Sequence, residues 1–116
     1  MRKFLLICTI CFSIPLMGQI NLNYLFTVWN DPTQADSNRL AAIHSIARDG
    51  YLYSQPESSY YYAQLHYDYA QSRGNLKEMA LSLNTQGISF WLRSDLDTAL
   101  VYFLNSQAIS EELGDQ

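Results

Sequence analysis

The chain has 116 residues, eleven acidic against seven basic, with a formal net charge of −4 at neutral pH. That length holds one small domain. The acidic balance argues against nucleic acid as a partner, because binding phosphates requires clustered cations.

Met1-Arg2-Lys3 opens the chain with positive charge, Phe4 to Leu16 is an apolar run, and Pro15-Leu16-Met17-Gly18 ends it with a breaker and a small residue. This is the layout of a signal peptide over residues 1–18, cleaved after Gly18, and it implies export to the periplasm or cell envelope. The run falls short of the roughly 20 residues that cross a bilayer as a helix. Leu16, three residues before the cut, is bulky for a cleavage site and leaves an uncleaved anchor as the alternative. Cys8 and Cys11 have Cys-x-x-Cys spacing but lie inside the apolar run, whereas a thiolate or metal site needs polar surroundings. Neither follows the small residues of a bacterial lipidation site. Removal of the segment leaves no cysteine and a net charge near −6, five basic residues against eleven acidic (5 − 11).

Residues 19–35 form a lead-in, with Asn21 to Trp29 as a short N-terminal cap before a turn at Asn30-Asp31-Pro32. Four helices follow, over residues 36–53, 56–73, 76–93 and 96–113. Pro56 suits the first turn of the second helix. Asn75 and Glu78 are spaced as a capping box for the third, and Asp95 caps the fourth. Gly74 and Gly114 suit left-handed helix stops. Leu76, Met79, Ala80, Leu83, Gly87, Phe90 and Trp91 recur along one face of the third helix, and Leu96, Ala99, Leu100 and Phe103 along one face of the fourth. Two such faces bury each other as an antiparallel hairpin. No segment alternates at period two for long enough to suggest a sheet, so the fold class is all-α.

The helices repeat. Glu57 to Ala63 leads to Gly74-Asn75 as Asp97 to Phe103 leads to Gly114-Asp115, with offsets of 97 − 57 = 40 and 114 − 74 = 40. The same shift sets Ile43 against Leu83, Ala47 against Gly87 and Tyr51 against Trp91. Residues 36–74 and 75–116 are therefore two units of two helices each.

Leu83-x-x-Gln86-Gly87-x-x-Phe90, followed by Ala99-x-x-x-Phe103, resembles the tetratricopeptide repeat family. The resemblance covers residues 80–113 closely and 40–73 through Ile43, Ala47, Ser59, Ala63 and Gly74. It implies antiparallel helical hairpins stacked as an α-solenoid, with Ala47, Ala63, Leu83, Gly87, Phe90, Ala99 and Phe103 as packing positions. The first helix of each hairpin would line a concave groove with His44, Arg48, Tyr51, Leu81, Asn84, Thr85, Ile88 and Trp91, a surface for protein or peptide. Gln86 stands where the family has an apolar residue, Ser106 where it has alanine, and no proline closes either unit.

The strings Ala80 to Trp91 and Ile109 to Asp115 are also similar to repeats preceding the catalytic part of membrane-bound adenylate or guanylate cyclases, and some histidine kinases, of the Bacteroidetes type. That likeness implies the exported sensory part of a longer envelope signalling protein, with the membrane reached only through the signal segment or a downstream helix absent from this sequence. The alternative is a stand-alone periplasmic scaffold. Two units without an evident cap imply either a fragment or self-association through the open end.

No phosphate loop, zinc spacing, carboxylate pair or nucleophile constellation is present, so no catalytic residue, cofactor or metal is expected. His44 and His66 lie on helices without a companion at ligand spacing and read as packing or solvated residues. Glu111 and Glu112 are adjacent on a helix and point apart. Tyr60, Tyr61, Tyr62, Tyr67 and Tyr69 crowd one helix, either as packing between units with solvated rims or as an aromatic recognition surface.

Overall fold

A computed structural model describes residues 20–114. The expected signal segment, with Cys8 and Cys11, lies outside the described residues. Five α-helices occur among the described residues: α1 (Leu22–Asn30), α2 (Asp36–Ser45), α3 (Pro56–Ser72), α4 (Leu76–Leu92) and α5 (Leu96–Gly114), with a π-helical turn, Ile46–Tyr51, continuing α2. No strand occurs among the described residues. The fold is all-helical, and the helices pack against one another.

Local chemistry sets the ends. The Asn21 side chain accepts the Tyr24 N–H at 3.0 Å and starts α1, making a true helix of the expected cap. Asn75 accepts the Glu78 N–H at 3.1 Å, and Asp95 accepts the Thr98 N–H at 3.2 Å. The reciprocal half of the expected capping box does not form. The Asn75 N–H donates instead to the Ala70 carbonyl at 2.9 Å, and the Glu78 carboxylate turns to His66. Gly74 closes α3 at φ 64°, and Ser94 closes α4 at the same angle. Gly114, expected as a third left-handed stop, is instead the last residue of α5 and has no positive φ.

The continuous helix expected over residues 36–53 gives way after Ser45 to the wider π turn. Apolar spacing over one turn does not separate the two helix types. The turn carries Gly50 to α1, where an added Cβ would meet Leu22 Cδ2 at 2.9 Å.

Each helix packs on its chain neighbours, α4 with α5 and α3 with α4 most extensively, and α2 also meets α4. Ile43, Ile46 and Ala47 from α2 and its extension, and Leu52 just after it, are fully buried, as are Ala63 and Ala70 of α3. Burying a large aliphatic side chain contributes about 1.5–3 kcal/mol, so this cluster anchors the N-terminal half. In the C-terminal half α5 closes on α4 where Gly87 leaves room for the Phe103 ring. Phe90 stacks on Tyr102 at 5.3 Å and meets Tyr60 edge-on at 5.4 Å. Tyr60 and Tyr102 share a hydrogen bond of 2.9 Å between their hydroxyls. Burial and that bond push the Tyr102 phenol up to about 12.

Candidate functional site

The residues that the repeat resemblance assigns to a groove come from α2, its π turn and α4, the two helices that meet across the stack. Leu81, Asn84, Ile88 and Trp91 follow spacings of three and four and share one face of α4. Trp91 is 57% exposed; Leu81, Asn84 and Ile88 are half-buried. His44, Arg48 and Tyr51 are half-buried too, and the Tyr51 ring stacks on Tyr62 at 5.1 Å. The polar ends of Arg48 and Asn84 have no hydrogen-bond partner among the described residues. Thr85 is the exception. It is fully buried, its hydroxyl donates to the Leu81 carbonyl at 3.2 Å, and it has no surface to offer a groove.

Of the assigned packing positions, Ala47, Ala63, Gly87 and Ala99 are buried, whereas Leu83, Phe90 and Phe103 keep some exposure. The crowded tyrosines of α3 divide by direction. Tyr60 faces the α4–α5 aromatics and Tyr62 faces Tyr51, while Tyr61 is 58% exposed. Tyr69 stands among cations: the Arg39 guanidinium lies 4.6 Å and the Arg73 guanidinium 4.8 Å from its ring centre. Arg39 also sits 5.1 Å from the Trp29 ring and donates to the Trp29 carbonyl at 3.0 Å, so one cation ties α1 to α3. The Tyr69 hydroxyl, which donates to Asp36, and then Arg73 hold the Asp36 carboxyl below its ordinary range.

The two histidines are not isolated. Their rings stand 5.4 Å apart, and His66 Nε2 lies 2.6 Å from the Glu78 carboxylate, so α2, α3 and α4 each bring one member to a common seam. Twelve residues separate His66 from Glu78 and 22 separate the histidines (66 − 44), distances at which no local spacing announces a pair. His66 is fully buried, and the Nδ1 atoms of both rings lack a hydrogen-bond partner. Burial, opposed by Glu78, pushes the His66 pKa down, and burial does the same to His44. Burial thus disfavours the charged form of both imidazoles, and His66 Nε2 shares a hydrogen bond with the Glu78 carboxylate. With His66 fully buried, the three side chains pack as a seam between α2, α3 and α4.

Two of the three departures from the tetratricopeptide pattern, Gln86 and Ser106, have local partners. Gln86 is 1% exposed and donates to the Gln64 side chain at 2.9 Å, so an amide pair joins α3 and α4. Ser106 donates to the Ala80 carbonyl at 2.8 Å across α4 and α5.

Among the described residues no group of three or more His, Cys, Asp or Glu is arranged to hold a metal ion. No helix among them is long and apolar enough to cross a membrane. A shallow hollow between α1 and α2 is lined by Tyr24, Leu25, Val28, Gln34, Asn38 and Ala41, away from the groove residues. Comparisons with protein-family models, curated proteins and solved structures give no match to this chain.

Proposed function

We propose that the chain is a tetratricopeptide-type module that binds a protein or peptide segment along α2 and α4, as the exported sensory or interaction part of an envelope signalling protein. It binds and does not catalyse. The observation that carries this reading is the half-open face shared by the two helices. Arg48 and Asn84 present unpaired polar groups there, beside the exposed Trp91 and the half-buried Ile88. An extended peptide takes polar clamps and apolar contact together from a surface of that kind. The helix boundaries repeating at 40 residues and the contact of α2 with α4 across α3 support the solenoid arrangement.

Residues 19–116, screened against a library of immobilised peptides, test the groove. Arg48→Ala and Trp91→Ala should each weaken the captured peptides, by about 1–2 kcal/mol for a contact residue, with helicity unchanged. Peptide binding indifferent to both changes removes the groove. Export has its own check: N-terminal sequencing of the mature protein should begin at Gln19.

A further inference from the structure

The proposed groove and the histidine seam share a residue. His44 stands four residues before Arg48, among the residues assigned to the groove, and its ring lies 5.4 Å from that of His66 on α3. His66 in turn meets the Glu78 carboxylate on α4 at 2.6 Å. The seam therefore runs from one wall of the groove, α2, through α3 to the other wall, α4.

The seam is built for neutral rings. The Nδ1 atom of each imidazole is buried and has no hydrogen-bond partner among the described residues. In an imidazolium both nitrogens carry protons, so each Nδ1 becomes a charged donor with nothing to accept from it. A buried charge left in that state is costly. The groups facing the rings do not balance two cations. From α4 comes one carboxylate, Glu78; from the π turn come Arg48, which opposes charge on His44, and the exposed Asp49; from α3 His44 meets only the second imidazole. The phenol of Tyr24 is the sole titratable side chain of α1, which also packs on α2. Because α3 and α4 pack extensively and α2 meets α4 only narrowly, α2 is the element free to yield and admit water to the rings.

We infer that the seam gates the groove by pH: protonation of the His44–His66 pair in mild acid moves α2 away from α4 and releases a peptide held between them. The inference rests on the groove proposed above and concerns its regulation. Burial, opposed by Glu78, holds both rings below the ordinary 6.5, so the groove is set for binding at neutral pH and opens only below that value. A peptide lying over the half-buried His44 would bury it further, so peptide and proton oppose each other, and each weakens the other by the same factor.

Residues 19–116 contain no cysteine, so spin labels can be placed at two exposed positions outside the groove, Ala41→Cys on α2 and Lys77→Cys on α4. The distance between the labels, read by pulsed electron paramagnetic resonance without any peptide, should lengthen by about 2 Å or more from pH 7.5 to pH 5.5, the scale of helix shifts at packed interfaces. Circular dichroism should stay helical at both pH values. His66→Gln takes one imidazole from the seam and should shrink the change; should that variant not fold, His44→Gln removes the other ring. Peptides captured from the immobilised library at pH 7.5 should bind at least about ten-fold more weakly at pH 5.5, the effect of one proton over one pH unit. A label distance that does not change with pH, or that lengthens equally without a seam histidine, would overturn the gate. Loss of helix at pH 5.5 would do the same, since acid then unfolds the chain. Captured peptides that stay bound at pH 5.5 while the distance lengthens would remove the gate and leave the groove, whereas no captured peptide at either pH would remove the groove itself and the gating with it.

Discussion

A Cβ placed on Gly87 would stand 2.6 Å from Phe103 Cε1 and 2.7 Å from Cδ1, too close for the ring to remain where α5 puts it. Gly87→Ala should therefore destabilise the chain by about 1–3 kcal/mol, seen as a lower midpoint of thermal unfolding. Phe103→Leu in the same background should recover part of the loss, so the double-mutant cycle should show coupling. A Gly87→Ala protein that melts with the wild type would mean that the two helices are not this close. This contact was legible in the residues, because a small residue in one helix and an aromatic in the next recur at spacings that only close packing explains. Gln86 was not legible in the same way. An isolated glutamine in an apolar position looks like a departure until its partner, Gln64, is known, and that partner lies 22 residues away (86 − 64).

At the scale of the element, the turns 73–75 and 93–95 are built alike. In each, the central residue has φ 64° and the following N–H reaches back to a helix carbonyl, Asn75 to Ala70 at 2.9 Å and Asp95 to Phe90 at 3.0 Å. Glycine takes this conformation freely at position 74, but Ser94 takes it against a steric penalty of about 1–2 kcal/mol. Ser94→Gly should relieve most of that, less the extra freedom glycine gives the unfolded chain. A net gain near 1 kcal/mol would raise the melting midpoint by roughly 4–8 °C. Gly74→Ser should lower it correspondingly, and equal midpoints for all three proteins would show that neither turn is strained. The sequence marked the first of these turns through glycine and the second only through the aspartate cap, since serine does not announce a left-handed residue. The π turn after Ser45 was hidden for a different reason. Its extra residue per turn is too small a change to disturb an apolar pattern over six residues, Ile46–Tyr51.

Across the whole molecule, the seam of His44, His66 and Glu78 couples three helices to pH. Both histidines have folded pKa values below the ordinary 6.5, held down chiefly by burial, while Glu78 opposes the shift, and Arg48 and Asp49 act on His44 in opposite senses. The unfolded chain therefore binds more protons just below pH 6.5, and the contribution of the neutral pair, complete above that pH, is lost as pH falls through the folded values. Melting midpoints should be level from pH 8 to about 7 and fall toward pH 5, before the exposed carboxylates of Asp31 and Asp36 protonate. His44→Gln removes one imidazole and its repulsion of His66, so its decline should be shallower. Midpoints constant from pH 7 to 5, or identical slopes for the two proteins, would deny the seam this role. The four main helices and their order could be read from periodicity and caps, but the seam could not, because a buried cluster assembled from three helices leaves no trace in any one of them. The Gln64–Gln86 pair has a further consequence for how α3 and α4 find each other. Apolar contacts between two helices tolerate sliding, whereas a shift of one turn, about 5.4 Å, would strand the buried Gln86 amide without its partner. The pair thus works as a key: it adds little to the strength of the joint and selects one alignment from the several that greasy surfaces alone would accept.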